Sequence, residues 1–166
     1  KEIRKYDNYT IYGLVAAAEA IKNSNINIDT VDKTKIGVIW GSGIGGIKTF
    51  SDEIKSFVEG NGIPRFSPYF IPKMIADIAA GIISIKYGFQ GPNFATVSAC
   101  ASSAHAIIDA FNYIRLGKAN IFICGGSEAS VHPASVGGFN ALKALSTKNN
   151  NPETASRPFD VDRDGF

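Results

Sequence analysis

The stretch Lys35–Val58, KIGVIWGSGIGGIKTFSDEIKSFV, decides the fold class. KIGVIW, residues 35–40, is a short apolar run suited to a strand buried on both faces, and Thr49–Val58 has the spacing of an amphipathic helix. GSGIGG joins them, so the unit reads strand, glycine turn, helix. The order recurs downstream. NFATVS, Asn93–Ser98, predicts a strand, Ser102–Leu116 a helix stopped by Gly117, and NIFICGG, Asn120–Gly126, a third strand. Strands alternating with helices give an α/β class with a mostly parallel sheet.

Outward from this frame, Ile11, Leu14, Val15, Ala18 and Ile21 fall at helical spacing, with Asp7 or Asn8 as cap. Gly60–Pro72 contains three prolines and two glycines and predicts an extended loop. Pro72 suits the first turn of a helix running to about Tyr87. Lys148–Glu153, KNNNPE, is a polar loop. Three strands are a thin sheet for so much apolar sequence, and RPFDVDRDGF adds no closing element. The chain is expected to be part of a larger α/β protein.

Of the 166 residues, 45% are apolar and 19% charged, which describes a globular chain rather than a disordered one. No apolar run approaches the ~18 residues that span a bilayer, and no signal core opens the chain, so no membrane and a cytoplasmic address are expected. The net charge of +2 predicts no global pull on nucleic acid. Cys100 and Cys124 are too few for a disulfide framework and too far apart for metal-ligand spacing, so no metal site is expected.

Gly41, Gly43 and Gly46 satisfy G-x-G-x-x-G between a strand and a helix, the setting of a dinucleotide site. The fingerprint also needs a second strand ending in an acid about 20 residues on, and the proline-broken loop occupies that place. A glycine turn where backbone packs closely, or borders a substrate channel, is the better reading.

The second candidate is Cys100, in TVSACASSAHAIIDA, Thr96–Ala110. A strand ending near Ser98 and a helix beginning near Ser102 put the thiol on the turn between them, parallel to a serine nucleophile elbow, with small neighbours leaving room. An ordinary thiol with a pKa of about 8.5 is only a few per cent thiolate at neutral pH, and a helix terminus supplies ~0.3–1 kcal/mol. A base or further donors must come from elsewhere. A buried, inert cysteine is the competing reading. His105 sits about 140° round the helix from Cys100 at 100° per residue and is expected to face packing or a neighbouring element. His132 lies in a loop, and Cys124 is expected to be a small core residue.

KEIRK, GSGIGG, SPYFIPKMIADIAAGIISIKYGFQGP, TVSACASSAHAI, GGSEAS, VGGFNALKALST and NPETASRPFDVDRDGF together resemble the β-ketoacyl-acyl carrier protein synthases. The resemblance covers essentially the whole chain. It implies a thiolase-like fold, five α-β-α-β-α layers in the full enzyme, with residues 1–166 an incomplete N-terminal half and the C-terminal half absent. It also implies a 3-oxoacyl synthase of fatty acid elongation, an acyltransferase that performs decarboxylative condensation of an acyl thioester with a malonyl thioester.

In that reading Cys100 is the nucleophile that takes the acyl group, and its amide forms part of the oxyanion hole. Ile44 and Phe139 resemble acyl-channel residues, and Phe70 one that reaches into a partner subunit's channel. Lys1, Arg4, Lys5, Arg65 and Lys143 resemble the basic patch that docks acyl carrier protein. The implied partners are that carrier, which delivers its phosphopantetheine arm, and a second copy of the chain. No covalently bound cofactor is implied. The family's two catalytic histidines and lysine fall beyond Phe166, so the fragment alone is expected to be inactive. The alternatives are a thiolase or coenzyme A-dependent synthase, which KEIRK and NPETASRP disfavour, and a non-catalytic chain-length subunit, which Cys100 disfavours.

Overall fold

A computed structural model describes residues 2–166 of the chain, with the Glu2 side chain left aside. The described residues divide into two compact units, one ending at Ala129 and the other Ser130–Phe166. In the first, strand β1 (Ile36–Gly41) is the centre of a three-stranded sheet between β2 (Asn93–Phe94) and β3 (Ile121–Gly126), all parallel. The β1–β3 ladder runs from Ile36↔Ile121 to Gly41↔Gly126.

Alternation along β1 divides the core. Ile36, Val38 and Trp40 face a cluster with Tyr9, Ala17 and Ile21 of helix α1 (Asn8–Asn23) and with Ala79, Ala80 and Ile83 of α4 (Ile78–Tyr87). Ile39 faces the other way, onto Ala106 and Ala110 of α5 (Ser102–Arg115). The sheet is thus covered on both faces, as a parallel sheet requires. Each fully buried aliphatic side chain here contributes about 1.5–3 kcal/mol.

The start of α1 shows how one side chain organises several elements. The buried Asp7 carboxylate caps α1 by accepting from the Tyr9 amide at 3.3 Å, and its other oxygen accepts from the amide and hydroxyl of Thr49 in α2 (Ile47–Glu59). The Tyr9 hydroxyl, fully buried, donates to the Ile75 carbonyl, and burial pushes its pKa up to about 12. At the far end of α5, Gly117 takes the left-handed conformation (φ 67°), the stop that its position in the sequence predicts.

Two elements differ from the sequence expectation. The helix expected from Pro72 to Tyr87 is two helices, α3 (Phe70–Met74) and α4, separated at Ile75–Asp77. The carbonyl of Met74 accepts from the Gly46 amide at 3.0 Å and that of Ile75 from Tyr9, so tertiary donors capture the groups that would have continued the helix. The strand expected over Asn93–Ser98 ends at Phe94. Beyond it the first residue of α5 packs on the end of β1: a Cβ on Gly41 would lie 2.7 Å from the Ser102 carbonyl carbon, closing the space a longer ladder needs.

In the second unit, α6 (Pro133–Ala141) is capped by the His132 side chain, which accepts from the Ala134 amide. Phe166 exchanges backbone hydrogen bonds with Ala144 and Ser146. The Ser146 hydroxyl, the Thr147 amide and Lys148 hold the Asp164 carboxyl below the usual carboxylate range.

Candidate active site

Cys100 occupies a single 3₁₀ turn, Ala99–Ala101, between the end of the β2 segment and α5, and its side chain is exposed. Among the described residues it is not packed into an apolar core. The turn is built from small residues, and Ala99, with φ 49°, takes a left-handed conformation that is unfavourable for any residue with a Cβ. Such a backbone persists only where its surroundings hold it.

Ser102 does so. Its buried hydroxyl accepts from the Ser98 amide at 2.9 Å and donates to the Ala99 carbonyl at 2.7 Å, clasping the turn from within. The Thr96 hydroxyl donates to the Ser102 carbonyl at 2.7 Å, and the Ala101 amide to the Ser98 carbonyl at 3.0 Å. His105 meets a neighbouring segment, the second of the two alternatives its helical position offers, and not an apolar layer. It is exposed, and its Nδ1 shares a 2.7 Å hydrogen bond with the Ser98 hydroxyl, because one turn of α5 brings it back over the residue before the elbow. Neither Ser98, Ser102 nor His105 stands out as a support from sequence alone.

The glycine turn lies against this elbow. A Cβ on Gly43 would sit 3.5 Å from both Cα and O of Ala99. The turn's donors are taken from inside the protein: one Glu128 oxygen accepts from the amides of Gly43 at 2.7 Å and Ile44 at 3.0 Å. The Ser42 hydroxyl accepts from the Gly45 amide at 3.0 Å and lies 3.4 Å from the second Glu128 oxygen. A phosphate would need these same groups. The dinucleotide reading therefore fails on chemistry as well as context.

Ile44 is 45% exposed on this turn. Phe70, the first residue of α3, is half-buried in an aromatic row, its ring centre 5.3 Å from that of Phe66 and 6.3 Å from that of Phe50. Phe139, in the second unit, packs edge-on against Phe166 at 5.2 Å. Arg4, Lys5 and Arg65 are exposed in the first unit and Lys143 in the second, while Lys1 lies outside the described residues. Cys124 is half-buried beside Ile39 and Ala106, and burial raises its thiol pKa. Among the described residues no three His, Cys, Asp or Glu side chains converge to hold a metal ion. Nor, among them, is any helix long and apolar enough to cross a membrane.

The sequence model described as Beta-ketoacyl synthase, N-terminal domain, matches residues 1–166. The chain belongs to the β-ketoacyl synthase family. It is 45% identical over 166 residues to a 3-oxoacyl-[acyl-carrier-protein] synthase 2 of Staphylococcus aureus, covering 100% of this chain and 41% of that protein. A β-ketoacyl synthase crystal structure from Burkholderia phymatum STM815 superposes with a TM-score of 0.84 at 28% identity, over 100% of this chain and 40% of that one. A type II PKS acyl-carrier protein in complex with its ketosynthase bound to the hexaketide matches with a TM-score of 0.79 at 28% identity, over 86% and 42%. The chain thus spans about two fifths of the length of the relatives it matches. These likenesses bear out the thiolase-like fold that the motifs imply.

Proposed function

We propose that the whole protein is a 3-oxoacyl-acyl carrier protein synthase, with residues 1–166 forming part of its N-terminal half and carrying the nucleophile. One observation carries this reading: an exposed cysteine on a clasped, left-handed turn at the head of a helix, in a chain of this family.

The Cys100 thiolate attacks the thioester carbonyl of an acyl group presented on phosphopantetheine. A new S–C bond forms, the bond to the carrier's sulfur breaks, and that sulfur leaves as a thiol, taking the proton that the Cys100 thiol gave up when it became a thiolate. A malonyl thioester then loses carbon dioxide, and the electron pair of the broken C–C bond becomes an enolate that attacks the acyl carbon and expels the cysteine sulfur. Backbone amides near Cys100 stabilise the oxyanion of each addition. Stabilising the enolate needs donors in addition to those amides, a role suited to histidine side chains.

In this reading Ile44 of the first unit and Phe139 of the second are each acyl-channel side chains, and Phe70 reaches into a partner subunit's channel. Lys1, Arg4, Lys5, Arg65 and Lys143 dock the acidic carrier, acting on association rate. A structural relative described as a carrier-protein complex supports that partner. Val97, Ile107, Ile108 and Phe111 are each more than half exposed, and such an apolar surface favours burial against further protein. A homodimer and a cytoplasmic address complete the reading.

The test is acyl transfer to the full-length protein, read by intact mass. Wild type gains one acyl group from acyl carrier protein and Cys100→Ala gains none. Undiminished loading of Cys100→Ala removes the nucleophile, and loading from coenzyme A but not from the carrier replaces the substrate class.

A further inference from the structure

The glycine motif still needs a purpose, since its geometry is that of an anion cradle and its anion is internal. We propose that Glu128 is a positioning residue: its carboxylate fixes the Ser42–Gly45 turn against the cysteine elbow and thereby sets which acyl chains fit beside Ile44. This rests on the acyl-transfer reading of Cys100.

Glu128 is itself held in place. It is the second residue after β3, and the residue between, Ser127, extends the ladder with an amide bond to the Gly41 carbonyl at 3.1 Å. The Ser127 hydroxyl accepts from Trp40 Nε1 at 2.9 Å and donates to the Tyr9 carbonyl at 2.7 Å, so the backbone that presents Glu128 is tied to the strand and to α1. From this anchor the carboxylate reaches back to the end of β1. Together with Ser42 it satisfies three successive amides, Gly43, Ile44 and Gly45, in a segment that belongs to neither strand nor helix.

Two neighbours make the position of that turn matter. Gly43 stands against Ala99, the left-handed residue immediately before Cys100, so displacement of the turn alters the space next to the elbow. Ile44 is the side chain the turn presents, and its amide is bound to Glu128. A branched side chain on a firmly held backbone is a fixed wall, whereas on a loosened turn it swings and accepts chains of more sizes. Without the acceptor, Ile44 loses its register.

The full-length protein provides the test with three variants. Glu128→Ala removes the acceptor. Glu128→Gln keeps a carbonyl oxygen that can take both amides. Gly43→Ala introduces a Cβ that would lie 2.9 Å from Glu128 Oε2, displacing the carboxylate at its flexible end. The readouts are amide exchange at Gly43 and Ile44, alkylation of Cys100 by iodoacetamide, and the ratio of loading rates from butanoyl- and dodecanoyl-carrier protein.

In Glu128→Ala, exchange at the two amides rises about tenfold or more, and the loading ratio shifts about fivefold or more. Alkylation stays within about twofold of wild type. Glu128→Gln restores most of the ratio, and Glu128→Ala adds nothing further to Ile44→Ala. An unchanged loading ratio with faster exchange reduces Glu128 to a structural staple and overturns the proposal, as does strict additivity with Ile44→Ala. If Glu128→Ala does not fold, Gly43→Ala is judged by the same ratio. A wild-type protein that alkylates but loads neither acyl group refutes the acyl-transfer reading instead, and unaltered exchange in Glu128→Ala then overturns the assignment of Glu128.

Discussion

Replacing Ser102 by alanine isolates the clasp that holds the cysteine elbow. The hydroxyl is buried and makes two hydrogen bonds within the turn, to the Ser98 amide at 2.9 Å and the Ala99 carbonyl at 2.7 Å. Each such bond contributes roughly 0.5–1.5 kcal/mol net, and the groups left behind lie too close to the helix for a full complement of water, so the pair is worth about 2 kcal/mol. The left-handed Ala99 is the point at which the turn relaxes, because nothing in its own conformational preference favours φ 49°. Hydrogen exchange resolved by mass spectrometry on the full-length protein should show the Ser98–Ser102 amides opening about 30-fold faster, the equivalent of 2 kcal/mol, with the β1–β3 ladder unchanged. Iodoacetamide should meanwhile label a more heterogeneous Cys100, seen as departure from a single exponential. Exchange within about threefold of wild type in a folded Ser102→Ala protein would show that the turn is held by something other than this hydroxyl.

Gly41→Ala should lower the denaturation midpoint by the equivalent of about 1–3 kcal/mol, since the new Cβ meets the Ser102 backbone at 2.7 Å and a backbone cannot step aside; an unshifted midpoint refutes that close approach. Tyr9 keeps its proton in the fold to about pH 12 but loses it near 10 once unfolded, so stability should fall between those values by about 1.4 kcal/mol per pH unit. Spectrophotometric titration should then show one of the six tyrosines ionising late, and six that ionise together refute its burial. Reversal of Lys1, Arg4 and Lys5 to glutamate should weaken carrier-protein binding most at low salt, with a reduced association rate. Equal affinity at low salt retires the patch.

The elements legible in the sequence are those whose own residues determine them. Ile36–Gly41 has the apolar run of a central strand, Asp7 caps α1, and Gly117 ends α5. What escaped depends on partners distant in the chain. Nothing in SPYFIPKMIADIAAGIISIKYG announces that Gly46 and Tyr9 will take the carbonyls of Met74 and Ile75, yet those bonds split one expected helix into two. PASVGGF carries two glycines and a β-branched residue and reads poorly as helix, while His132 and Pro133 start α6 there. The site divides in the same way. Cys100 is visible because small residues surround it at a strand-to-helix junction, whereas Ser102 looks like any serine near a helix start until its burial is known. Glu128 sits in GGSEAS without local meaning, and only the pairing of β1 with β3 carries its carboxylate to Gly43, 85 residues away.

The Glu128 carboxylate also changes what the chain can be mistaken for by small molecules. Metabolite pools are rich in nucleotides and sugar phosphates, all of which seek converging amides at the end of a parallel sheet. A fold that brings its own counter-ion to that spot disfavours them all, because the carboxylate both fills the space and repels a second anion. Discrimination here takes the form of prior occupancy, with the competitor written into the polypeptide and binding intramolecularly.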